Sequence, residues 1–238
     1  MARLALPVLA AACAVLLGAA AVWAAAGGSP APFPAPPPAT TAPGPLEPYY
    51  PPIHWRRCEP LGKPWAGRLV RGTRLPPEGR DFFTWDPVKK RSPNRWWRRY
   101  GCDFAIGKLL RVLRSYRLAF PEAPRVGIGD LSRPRGGRFG KRFGGLGHGS
   151  HQNGVDVDVY YPRLDGLERA PRKVDQIDRF LAQALVDRFV SAGVKYAFVG
   201  PDTGLTGPRR IVQKLVYHDD HVHVRFRVPR GRRPESGR

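Results

Sequence analysis

Two short stretches alternate apolar and polar residues with the period of a strand. Val155, Val157 and Val159 interleave with Asp156, Asp158 and Tyr160, and Val222, Val224, Phe226 and Val228 interleave with His221, His223, Arg225 and Arg227. A period of two puts each apolar set on one face and each polar set on the other. Asp156 and Asp158 therefore share a face, as do His221 and His223. Helical spacing governs two other stretches. Ile106, Leu109, Leu110, Leu113 and Phe120 predict a helix from an Asp103 N-cap to about Ala119, with Lys108, Arg111, Arg114 and Arg117 as a solvated outer stripe. Ile177, Leu181, Ala184 and Leu185 predict a second helix over about Val174 to Ala192, ended by Gly193. Short strands are expected in Phe82-Phe83-Thr84-Trp85-Asp86-Pro87, where the strand ends in a turn, from Arg125 to Asp130 and from Val194 to Val199, and a turn-rich loop from Pro201 to Pro208. This order predicts an α+β domain in which a small, mainly antiparallel sheet has helices packed on one face and polar side chains on the other.

The flanks read differently. Leu4 to Ala26 is nearly uninterrupted apolar sequence, about the 20 residues needed to cross a bilayer. Alanine triplets near Ala21 and Ala26 suit a cleavage site. Export is expected, by a single-span anchor or, as the second choice, a removed signal peptide. Residues 27–52, rich in Pro, Ala and Thr, cannot bury a core; as an extended linker at ~3.1 Å per residue they would reach roughly 75 Å. The folded domain is then expected over 53–229, with 230–238 a basic, disordered tail. Its first part, Ile53 to Gly101, reads as irregular and holds Trp55, Trp65, Trp85, Trp96 and Trp97, which suit core packing and surface stacking more than a substrate groove. Cys58 and Cys102, exported to an oxidising compartment, are expected to form a disulfide.

Net charge is +21, spread along the chain. That balance suits an anionic cell-wall or membrane surface. No nucleic-acid module accompanies it, and a specific nucleic-acid partner is not expected. The glycine-rich loop from Leu131 to Ser150 lacks the Gly-Lys-Ser/Thr ending of a phosphate-cradling loop. Its glycines suit tight turns, and Arg138 within it is a candidate to grip a substrate carboxylate.

Five of the six histidines lie in or beside the two alternating stretches. Either strand alone reads as half-buried with a solvated face; the concentration of imidazole in both points to a metal. Two imidazoles and one carboxylate are a frequent ligand set for catalytic zinc, which keeps a position open for water. His151, Asp158 and His223 are the expected ligands. His221 is then left beside the metal as a base or as a donor to a developing oxyanion.

The combination His148-x-x-His151-Gln-x-Gly-x-Asp-Val-Asp158 with a distant His218-x-x-His221-x-His223-Val-Arg resembles the penicillin-insensitive murein endopeptidases, zinc peptidases related to lysostaphin and the D-Ala-D-Ala carboxypeptidases. Gly129-Asp130 and Pro134-Arg135-Gly136-Gly137-Arg138-Phe139 add to the resemblance, which covers roughly the second half of the chain. It implies Zn²⁺ on His151, Asp158 and His223, a catalytic His221 assisted by His218, and His148 close to the metal. Asp156, on the face of Asp158, would be a further ligand or a supporting residue. The polar segment that the family places after its first motif has no counterpart here, which leaves a second metal open.

The resemblance further implies an extracytoplasmic peptidoglycan hydrolase cutting stem-peptide cross-links as a D,D-endopeptidase. A D,D-carboxypeptidase and a catalytically silent zinc module that binds cell wall are the alternatives.

Overall fold

A computed structural model describes residues 52–144 and 148–232. The expected leader, residues 1–26, lies outside them, as do nearly all of the linker and the last residues of the tail. Among the described residues no helix is long and apolar enough to cross a membrane.

The elements in chain order are β1 (Glu59–Lys63), β2 (Ala66–Val70), β3 (Thr73–Arg74), β4 (Phe82–Thr84), β5 (Tyr100–Gly101), α1 (Asp103–Ala119), β6 (Val126–Ile128), β7 (Asp156–Tyr160), α2 (Arg179–Ser191), β8 (Tyr196–Val199), β9 (Val212–Lys214) and β10 (His221–Arg225). Six strands form one sheet in the order β4-β6-β7-β10-β8-β9. Its three central pairings are antiparallel and its two outer pairings parallel. The fold is the α+β arrangement expected, with a mainly antiparallel sheet. Strands β1 and β2 make a separate hairpin, and β3 and β5 a second two-stranded sheet.

Alternation explains the layers. Val157, Val159, Val222 and Val224 pack in one buried cluster with Ile106, Leu109, Leu110 and Leu113 of α1 and Leu185, Val186 and Phe189 of α2. The other face of β7 and β10 carries the acids and histidines. It too is covered: all five residues of β7 are buried.

The helices depart from the expectation in instructive places. Cys102, not Asp103, occupies the N-cap position of α1, without a side-chain cap. The Asp103 carboxylate instead accepts from the Cys58 amide and from both terminal nitrogens of Arg232. Helix α1 stops at Ala119 because Pro121 disfavours helical backbone at Phe120. Its outer stripe is not simply solvated: Lys108 donates to Ala192 O at the end of α2, and Arg117 donates to Pro121 O and Ala123 O.

Helix α2 begins at Arg179, five residues later than the periodicity suggested. Asp178 caps it by accepting from the Leu181 amide at 2.9 Å, and a 3-10 turn over Val174–Gln176 precedes it.

Strands β1, β2, β3, β5 and β9 were not foreseen. The β1–β2 hairpin lies in the stretch read as irregular, where Pro60, Gly62 and Gly67 break the strand signal, and β9 is a three-residue edge strand. At the far end, Arg230–Arg232 forms a 3-10 turn where a disordered tail was expected. Cys58 and Cys102 are bonded, with Cα atoms 5.2 Å apart, as expected.

Candidate metal centre

Strands β7 and β10 are neighbours, and their register sets His223 opposite Asp158, Arg225 opposite Asp156 and His221 opposite Tyr160. Two stretches more than sixty residues apart thus bring their polar faces together. His223 Nδ1 lies 3.1 Å from Asp158 Oδ1, and His221 Nε2 lies 3.5 Å from the same oxygen.

His151 arrives from the loop before β7. Its φ of +68° is unusual for a residue with a side chain and is held by its surroundings. The Asp156 carboxylate accepts its amide at 3.1 Å, and its Nδ1–H donates to Leu131 O at 2.7 Å. That donation fixes the tautomer and leaves Nε2 as a lone pair. Gly136 lets the preceding loop pack here: at φ +67°, a Cβ would stand 2.1 Å from Gln152 O and 2.5 Å from Leu69 N.

His151 Nε2 and Asp158 Oδ1 are buried, lie 3.2 Å apart and have no hydrogen-bond partner. A buried lone pair facing a buried carboxylate oxygen is costly unless a cation sits between them. His148, His151 and Asp158 offer ligand atoms all within 4.8 Å of one another, a group able to hold a metal ion. The donor set, imidazole and carboxylate, fits a divalent cation.

Each histidine is aimed by a partner. His148 Nε2–H donates to Asp130 at 2.7 Å, with Nδ1 3.9 Å from Asp158 Oδ2. Asp130 is itself fully buried, gripped by both Arg98 Nε and Nη2 at 2.7 Å and by Asn94 at 3.1 Å. His221 Nδ1–H donates to Asp220 at 2.6 Å. His218 Nδ1–H donates to Val216 O at 2.7 Å, and its ring centroid is 4.8 Å from that of His221. Asp156 accepts twice from Arg225, at 2.7 and 3.1 Å, and lies 3.6 Å from His223 Nε2.

These contacts set the charges. Burial works against the positive charge on His223, but Asp156 and Asp158 outweigh it and hold its pKa up at about 9. His221 is raised despite burial by Asp158 and Asp220, whereas burial lowers His151. Burial and the neighbouring His221 bring His218 down to about 4. Asp158 stays well below the usual carboxylate range: burial opposes its charge, and His151 and His221 more than compensate.

A cavity of about 640 Å³ opens onto these groups, with Trp65, Ser150, Phe198 and Tyr217 among its walls. Arg138 is exposed and lines an adjoining recess with Trp65 and His148, not the histidine cavity itself. Trp65, expected to serve packing more than a groove, is half exposed in the cavity wall, where the hairpin turn brings it. Gln152 donates to Trp65 O and accepts from the Gly67 amide, so the residue after His151 is tied to that turn. Asp220 was also missed, although a carboxylate directly before His221 was a readable signal. Arg98 had no signal, since a buried arginine looks like an exposed one in sequence.

A family model described as penicillin-insensitive murein endopeptidase matches residues 60–191. Over 104 residues the chain is 31% identical to the penicillin-insensitive murein endopeptidase of Haemophilus influenzae, covering 44% of this chain and 32% of that protein. It is 30% identical over 128 residues to the proteins of the same name from Citrobacter koseri and Salmonella heidelberg, covering 43% of this chain and 45% of each. The chain thus spans less than half the length of the curated relatives it matches.

Proposed function

Because this chain belongs to the penicillin-insensitive murein endopeptidase family, we propose that it is a zinc-dependent peptidoglycan hydrolase that cuts stem-peptide cross-links between D-residues outside the cytoplasmic membrane. The observation that carries this reading is the pair of buried atoms without a hydrogen bond, His151 Nε2 and Asp158 Oδ1, facing each other 3.2 Å apart beside an open cavity. In this reading His151, Asp158 and His223 hold Zn²⁺, the ion for which two imidazoles, a carboxylate and a vacant position are a frequent set. His148, aimed by Asp130, stands ready as an additional ligand.

Zinc bound there supplies Lewis-acid polarisation of the scissile carbonyl and acidifies water. The protein does the rest. Asp220 holds Nδ1 of His221, so Nε2 is free to take a proton from attacking water and return it to the leaving amine. His218, whose ring lies tilted against that of His221 and is held neutral at pH 7, shares that role or donates to the developing oxyanion. Asp156 keeps His151 and Arg225 in place. Arg138, which lines the adjoining recess, would meet a stem-peptide carboxylate. The Cys58–Cys102 bond fits an oxidising compartment.

Metal analysis together with digestion of defined cross-linked muropeptides tests this. His221→Ala is expected to keep stoichiometric zinc and lose about 10²–10³ in kcat, and His223→Ala to lose both metal and activity. Normal digestion by His221→Ala would sink the assignment. Release of free D-Ala alone would point to a carboxypeptidase, and wall binding without any product to a silent module.

A further inference from the structure

A second concavity, of about 510 Å³, shares no lining residue with the histidine cavity. Three separate segments build it: Trp55, Arg56 and Arg57 before β1, one stripe of α1, and Arg227 after β10. The α1 stripe is Phe104, Gly107, Lys108 and Arg111, spaced i, i+3, i+4 and i+7, so all four look the same way.

Five cationic side chains therefore converge: Arg56, Arg57, Lys108, Arg111 and Arg227. Among the described residues none of them has an ion pair. The one acid in the lining, Asp103, is already spent on Arg232 at 2.8 and 3.2 Å. The crowding is felt: burial, then Arg111 and Arg227, pull the Lys108 pKa down.

Gly107 adds an independent observation. A glycine inside a helix costs about 1 kcal/mol against alanine. Packing does not demand it, since a Cβ would meet only Arg111 Nη1 at 3.5 Å and Trp55 Cη2 at 4.0 Å. Its effect is to leave the floor open between a guanidinium and an indole.

We propose that this recess is a binding site for a linear polyanion carrying phosphate groups along its chain. Guanidiniums grip phosphate oxygens bidentately. A single carboxylate would leave most of these cations unneutralised. The α1 stripe from Phe104 to Arg111 runs about 10 Å at the helical rise, which is room for more than one phosphate and hence for a chain. Its concave shape fits a strand lying in a groove, not the flat surface of a bilayer. Trp55, half exposed at 50%, offers an apolar wall for the linking units.

The test is binding of short-chain inorganic polyphosphate by the full chain at about 150 mM salt, where long-range attraction is screened. Arg56→Ser/Arg57→Ser/Arg111→Ser is expected to lower affinity about tenfold or more, and to reduce the slope of log affinity against log salt by about two to three. A control, Arg91→Ser/Arg172→Ser/Arg209→Ser, removes equal charge from exposed arginines elsewhere and should bind nearly as the parent does. Gly107→Met keeps every charge, fills the floor and should also weaken binding. Equal losses in the two triple variants would reduce the site to bulk charge and overturn the proposal. So would unaltered binding by Gly107→Met. Loss of binding to phosphatidylglycerol vesicles with polyphosphate binding retained would identify a lipid-facing surface instead. Cleavage of a small soluble cross-linked peptide should be unchanged in all three variants, which keeps this outcome separate from that of the hydrolase reading.

Discussion

His221 is aimed by the residue next to it. Its Nδ1–H is held at 2.6 Å by Asp220, which leaves Nε2 to face the carboxylate of Asp158. Partners of this kind commonly contribute 10–100-fold to activity or metal affinity. Asp220→Asn should therefore lower kcat about tenfold to a hundredfold while zinc content and KM hold. Loss of the metal instead would make Asp220 part of the binding site.

The Arg98–Asp130 pair, with both side chains fully buried, belongs to the same scale. Removing one partner of such a pair leaves an uncompensated charge, at a cost of about 3–5 kcal/mol. Arg98→Met should lose that much in urea unfolding. Arg98→Met/Asp130→Leu should regain most of it. Zinc affinity should stay low in the double variant, because His148 has lost the carboxylate that aims it. The sequence showed the candidate metal ligands better than the residues that support them. Histidines are few and their clustering is informative, whereas Arg98 is one of 40 basic residues. The N-cap of α1 was misplaced for a related reason. Asp103 has the right chemistry for a cap, but its carboxylate is drawn to Cys58 and Arg232, 45 and 129 residues away.

Among the elements, β7 and β10 were the most legible, since alternation is a local property that survives in any fold burying one face. The start of α2 was less so. Apolar spacing continues back through Ile177 and Val174, yet Ile177 is extended, and the Asp178 cap begins the helix. Hydrophobic period cannot detect such a break. The β1–β2 hairpin went unseen because its strands carry glycine and proline and only partly bury their side chains.

The disulfide joins the segment just before that hairpin to the N-cap position of α1 across 44 residues. Closing a loop of that length is worth about 4 kcal/mol in the chain-entropy model. Cys58→Ser/Cys102→Ser should lose about that much in urea unfolding, and thiol reductant should then have no further effect. A loss under about 1 kcal/mol would mean that residual structure in the unfolded chain already holds these segments together.

For the whole molecule, an ion held at the proposed metal site would act as a brace as well as a reaction centre. It would join the loop before β7, β7 itself and β10, adding to the sheet pairing, the shared apolar core and the Asp156–Arg225 ion pair. A ligand that binds only the folded state stabilises it by about 2.7 kcal/mol at a hundredfold excess over its Kd. Chelation should lower the melting temperature, and zinc at that excess should restore it. His223→Ala should melt at the same temperature with and without chelator. A chelator effect that survives in His223→Ala would place the stabilising ion elsewhere.

What the sequence alone determined is what depends on nearest neighbours along the chain: which side chains share a strand face, where apolar spacing allows a helix, and that imidazole is concentrated in two places. Only the tertiary structure decided that β10 lies beside β7 with His223 against Asp158, that Trp65 reaches the cavity, and that Asp130 is held by Arg98. Strand pairing, register and burial are set by contacts between residues far apart in the chain. Their energies belong to pairs that no local pattern records.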